Sequence, residues 1–132
     1  MVVFMNVKLG NLIKSRKTFN ELKNLKGLDS ITAYRIAKNI QEIQKELSIF
    51  DEQSVNLLNK YCERDKDNKP VIKDGLVYIA DCNKEIYKNE LKLLFEEDVE
   101  IKIKKISLKS ISNVGLTPAE ILSLEYMLDV EE

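Results

Sequence analysis

Residues 29–63 read "DSITAYRIAKNIQEIQKELSIFDEQSVNLLNKYCE", and the architecture turns on them. Ile36, Ile40, Ile43, Leu47, Phe50, Leu57 and Tyr61 recur in steps of four and three, with only Ser54 interrupting the series. Apolar positions at that period line one face of an α-helix. No glycine or proline occurs between Asp29 and Glu63, so the covalent chain offers no obvious breaker. Asp29 or Ser30 can cap the start. One helix over 29–63 would be about 50 Å long. Ser48 and Asp51 are also competent caps, which leaves a break near residues 48–54 open. So long an apolar stripe must be covered, either by shorter helices of the same chain or by a second copy.

The flanking segments supply that cover. Leu12, Ile13, Phe19, Leu22 and Leu25 mark a helix over 11–26, closed by Gly27 in the position of a left-handed terminator. Ile86, Tyr87, Leu91, Leu94 and Phe95 mark another over 82–97, with Asp81 as its expected N-cap. "LTPAEILSLEYML" (116–128) predicts a helix over 117–129. Thr117 caps it, Pro118 occupies the first turn, Glu120 completes a capping box and Leu116 staples against Ile121.

Three stretches read as β-structure. "KPVIKDGLVYIADC" (69–82) holds a hairpin over 70–80, because Asp74-Gly75 suits the positive φ angles of a type I′ turn. Pro70 opens its first strand, where the missing N–H costs little. "DVEIKI" begins a strand over 98–106 with Val99, Ile101 and Ile103 on one side and Glu100, Lys102 and Lys104 on the other. That strand is expected to add a third member to the hairpin, since a lone hairpin is marginal in water. "VVFMNVKL" at the start is a short strand or an ordered arm. The fold class is therefore α+β: a helical bundle around one long central helix with a small antiparallel sheet, in a single domain over 1–132.

Composition narrows the function. A formal net charge of −1 gives the whole molecule no pull toward polyanions. Residues 1–50 carry nine Lys/Arg against four Asp/Glu, and residues 51–132 carry twelve against eighteen; a fold that interleaves the halves would erase this split. No apolar run is long enough to cross a bilayer, and the N-terminus lacks the pattern of a secretory signal. Cys62 and Cys82 read as reduced thiols, and the expected location is cytoplasmic.

The chain has no histidine, so the His-based nucleophilic pairs, general bases and metal ligands are excluded. Its four glycines form no phosphate-cradling loop. Asp81 with Glu100-x-Lys102 has the residue types of a metal-dependent nuclease, but Asp81 also reads as a cap and Glu-x-Lys is common in charged strands. Glu96, Glu97, Asp98 and Glu100 lack the spacing and central glycine of a calcium loop. The five tyrosines sit mostly beside core positions, and Cys82 is read as structural. Neither a catalytic residue, a metal site nor a cofactor is assigned. Lys14, Arg16, Lys17, Lys23 and Lys26 give the first helix a basic side, the one candidate nucleic-acid surface.

Taken in order, "AYRIAKNIQEIQKEL" (33–47), "NKPVIKDGLVYI" (68–79), "NKEIYKNELKLLFEEDVEIKIKKISL" (83–108) and "LTPAEILSLEYML" resemble an uncharacterised family of small proteins. These occur in tailed phages and prophages of low-GC Gram-positive bacteria. The resemblance runs from about Val7 to Asp129 and implies a phage origin without carrying over any functional residue. The expected function is that of a non-enzymatic phage or prophage protein acting on a protein partner, as a virion or assembly component or as an inhibitor of host defence. Binding of nucleic acid by the first helix is the alternative, a metal-dependent nuclease the third reading, and a homo-oligomer remains open.

Overall fold

In the computed structural model, which describes residues 2–129, the long helix is unbroken. It is α2 in an order that begins with β1 (Val2–Lys8), α1 (Leu9–Leu22) and α2 (Ser30–Tyr61). Asp29 caps α2, its carboxylate accepting from the Thr32 N–H and hydroxyl at 2.9 and 2.8 Å. The two rival caps are otherwise engaged. Ser48 turns back to donate to Gln44 O at 2.8 Å, and Asp51 pairs with Arg16 at 2.9 Å. Next come β2 (Ile72–Lys73), β3 (Leu76–Val77), α3 (Lys84–Phe95), β4 (Asp98–Lys104), β5 (Ile106–Ser107) and α4 (Leu108–Ile111). The chain closes with α5 (Pro118–Ser123) and β6 (Leu128–Asp129). The fold is α+β, with a long central helix and small sheets. Residues 1 and 130–132 of the expected domain lie outside the described range.

The strand over 98–106 does not join the hairpin. β4 pairs antiparallel with β1 over seven positions from Val2↔Lys104 to Lys8↔Asp98. The register sets Val3, Met5 and Val7 beside Ile103, Ile101 and Val99 on the face turned to the core. β1 offers β4 a matching alternation of full length, whereas the hairpin has two residues per strand and bares Ile72 and Leu76. The hairpin finds its third pass in the residues that leave α2, through bridges Cys62↔Ile79 and Arg64↔Pro70. Asp74 and Gly75 have φ of 54° and 79°, as a type I′ turn requires.

Element ends moved for local reasons. α1 starts two residues before expectation because β1 runs straight into it, Leu9 N–H donating to Glu97 O at 2.9 Å. It ends at Leu22, where the N–H groups of Asn24 and Leu25 tighten to three-residue turns. Asp81 is not the side-chain cap of α3. It opens a 3₁₀ turn, Asp81–Asn83, and its carboxylate takes the Tyr78 hydroxyl at 2.9 Å and Lys84 Nζ at 2.7 Å. The capping box at Thr117 and Glu120 forms as expected, yet α5 stops at Ser123. A 3₁₀ turn and β6 follow, and β6 pairs parallel with β5. Leu124, Met127 and Leu128 are all buried with helical spacing, so periodicity could not foretell the exit.

The core lies where β1, β4, α1 and the first half of α2 meet, with Leu12, Ile43, Ile101 and Ile103 wholly buried. Two polar groups are sealed into it. Asn39 accepts from the Lys104 N–H and donates to the Lys104 carbonyl, both at 2.8 Å, clamping the end of β4 to α2. Ser15 donates to Leu12 O at 2.7 Å and stands 2.8 Å from the Tyr126 hydroxyl, which is thereby the donor between them. Burial pushes the Tyr126 phenol well above its ordinary value of 10, and the Ser15 hydrogen bond opposes this only in part. Above about pH 10 the unfolded chain therefore releases a proton that the folded chain keeps. Stability is expected to fall there by up to about 1.4 kcal/mol per pH unit from this group. Urea unfolding from pH 8 to 11 should show a shallower fall for Tyr126→Phe.

Candidate functional site

The basic side expected of the first helix is present but diluted. Arg16 is neutralised by Asp51 across the α1–α2 contact. Lys14 and Lys17 border a groove between α1 and α5 that Glu21 and Glu120 also line, and Glu125 shares a second groove with Lys14. Lys23 and Lys26 are exposed, Lys23 capping α1 and Lys26 in the loop beyond it. Folding has interleaved acids from the C-terminal segment with the basic stripe. Phe19, the stripe's single aromatic residue, is in the core.

The three residues of the nuclease reading are not brought together. Glu100 and Lys102 share the outer face of β4. Asp81 precedes the start of α3, a helix of about 18 Å that runs back toward β4. Lys84 and the Tyr78 hydroxyl hold its carboxyl below the ordinary carboxylate range. Among the described residues no group of three potential metal ligands converges.

The clearest asymmetry is in packing. Of the eighteen buried apolar side chains among the described residues, one, Cys62, falls between residues 48 and 95, whereas seven of the twelve exposed large ones do. This segment goes out along the second half of α2, turns through the β2–β3 tip and returns along α3. Three contacts mark the outward and return passes: Phe50 stacks on Phe95 at 5.9 Å, Lys60 reaches Glu90 at 3.6 Å, and Asn83 donates to Tyr61 O at 3.4 Å. Gly10 admits the returning end, since a Cβ there would stand 3.1 Å from Phe95 O. No residue of α3 is buried. Ile86 and Leu93, seven positions apart on one helical face, are exposed, as are Ile72 and Leu76 (73% exposed) at the tip. Beside the tip a shallow groove of about 460 Å³ is lined by Lys73, Leu76, Tyr78, Lys84, Tyr87 and Lys88. Lys73 Nζ lies 3.9 Å from the Tyr78 ring centre.

Helical periodicity alone could not mark this arm as bare. The stripe on α2 continues past Leu47 with the same spacing, but the elements that cover its first half do not reach its second. Of the five tyrosines, Tyr34 is the most open, at 56% exposed. Cys62 and Cys82 are free thiols, the first buried and the second exposed.

Fold and surface together define an α+β protein in which one long helix joins a well-packed body to a thinly packed, apolar arm. Among the described residues no helix is long and apolar enough to cross a membrane. No protein-family model, curated protein or solved structure matches the chain.

Proposed function

We propose that this is a small phage or prophage protein that works without catalysis, by docking its arm on a protein partner of the phage or its host. The observation that carries the reading is the arm's exposure of Ile72, Leu76, Ile86 and Leu93 on elements that bury almost nothing of their own. Large apolar side chains left bare on one short segment are costly in water and are commonly covered by another protein. The groove at the tip sets Tyr78 and Tyr87 beside Leu76, and aromatic residues are enriched at interface centres. A virion or assembly component and an inhibitor of a host defence protein are the two roles that fit such a surface.

The test compares the wild-type chain with an Ile72→Lys, Leu76→Lys double variant, each used as bait in lysate of an infected low-GC Gram-positive host. The wild type is expected to retain a stoichiometric protein and the variant to lose it, with the urea midpoint unchanged because both side chains are already exposed. Equal retention by both baits, or a wild-type bait left solitary after nuclease treatment, would defeat the reading. A second copy of the chain bound through the same two residues would make the partner a homodimer.

A further inference from the structure

The outer face of the β1–β4 ribbon has a chemistry that arm docking leaves unused. The register places Val2 beside Lys104 and Phe4 beside Lys102 on the side turned from the core. Phe4 is 66% exposed. Tyr34, on the first turns of α2, is 56% exposed. Its ring is approached by two ammonium groups, Lys104 Nζ at 5.3 Å and Lys38 Nζ at 5.9 Å from the centre. Arg35 donates to Lys105 O at 3.4 Å and so stands at the same corner.

Arg35, Lys38, Lys102 and Lys104 thus bring four cations to the corner where the ribbon meets the start of α2, none in an ion pair with an acid among the described residues, while the Lys105 ammonium is turned away to the Tyr126 carbonyl at 3.2 Å. Of the ribbon's acids, Asp98 lies at the other end, held by Lys8 at 2.8 Å, and Glu100, facing Asn6, is the one acid beside Lys102 on this face.

We infer that this face binds single-stranded nucleic acid. Phe4 and Tyr34 serve as platforms for unstacked bases, while Lys38, Lys102 and Lys104 take the phosphates. Single strands are favoured over duplex because exposed rings need bases whose faces are free, and stacking within a duplex covers those faces. Alternation along the strand puts Lys102 and Lys104 about 7 Å apart on one side, a row that can track a backbone. The charge complementarity is local. It unites α2 with β4, which are distant in sequence, and the near-neutral whole-chain charge conceals it.

The experiment is fluorescence anisotropy of labelled 15-mer DNA and RNA single strands with the full chain at 50 and 200 mM KCl. Saturable binding is expected at 50 mM, weakening about 30-fold at 200 mM for three to four phosphate contacts. Lys102→Gln with Lys104→Gln should weaken binding and flatten its salt dependence. Phe4→Ser should weaken it about tenfold with the salt slope kept, the mark of lost stacking rather than lost charge. Lys14→Gln with Lys17→Gln on α1 should change nothing. Urea unfolding of each variant shows that the fold is intact. Binding of either polymer supports the inference, and the ratio between them names the preferred sugar. Absence of binding at 50 mM, wild-type affinity in Phe4→Ser, an equal loss in the α1 pair, or equally tight binding of polyglutamate would overturn it. None of these residues belongs to the arm, so this result and the docking result fail independently.

Discussion

Asn39→Leu is expected to destabilise the protein by about 3 kcal/mol, from the loss of a single side-chain clamp. Asn39 is 1% exposed, and its amide satisfies both the N–H and the C=O of Lys104 at 2.8 Å. A leucine, branched like asparagine but bulkier, leaves both backbone groups without a side-chain partner, each costing about 1–3 kcal/mol. The groups are part-buried where β4 ends against α2, two residues before β5 begins, so water replaces the amide only incompletely. Asn39→Asp gives a sharper control. As a carboxylate it can accept from the Lys104 N–H but sets a negative charge against the Lys104 carbonyl. Protonated, it regains a donor and reproduces the amide pattern. Its deficit relative to wild type should therefore shrink as pH falls from 7 toward 4 in urea unfolding, whereas the Asn39→Leu deficit should not. A leucine variant as stable as wild type would show that the clamp is dispensable.

The second large effect concerns the two halves of the same helical system. Ile43, 0% exposed in the first half of α2, should cost about 3–4 kcal/mol on truncation to alanine, combining lost burial with the cavity left behind. Leu93 on α3 is 66% exposed, and Leu93→Ala should stay within about 0.5 kcal/mol. Both are large apolar residues within helices, but Ile43 lies on the apolar stripe of α2 whereas Leu93 falls outside the Ile86, Tyr87, Leu91, Leu94 and Phe95 face of α3. Denaturant unfolding of the two variants measures the difference directly. A large loss in Leu93→Ala would mean that the arm is packed in solution, by a second copy or otherwise, even without a partner.

These contrasts mark what could be read beforehand. The caps at Asp29 and Thr117, the turn at Asp74-Gly75 and the alternation in β4 are local devices, and each stands as its own residues dictate. The alternation in β4 identifies a face and not a mate. Residue proximity in sequence favoured the hairpin, while the longer matched surface of β1 prevailed. Asn39 was visible in principle. It falls between Ile36 and Ile40 on the buried stripe of α2, and a polar amide there demands a buried partner. That partner, a backbone some 65 residues away, has no signature in the chain.

The candidate surfaces follow the same division. Lys14, Arg16 and Lys17 are a basic run on α1, yet Asp51, Glu120 and Glu125 reach them only once the helices meet. Lys38 and Lys104 carry no joint pattern, yet both approach one tyrosine ring. By itself the sequence determined the period of each element, its caps and turns, and the absence of histidine chemistry, since these depend on neighbours within a turn or two. Only the tertiary structure decided which strand β4 would join, how deeply each half of the long stripe would be buried, and where cations would crowd beside open aromatic rings. Those outcomes are settled by competition among surfaces far apart in the chain, where matched length and buried area outweigh adjacency.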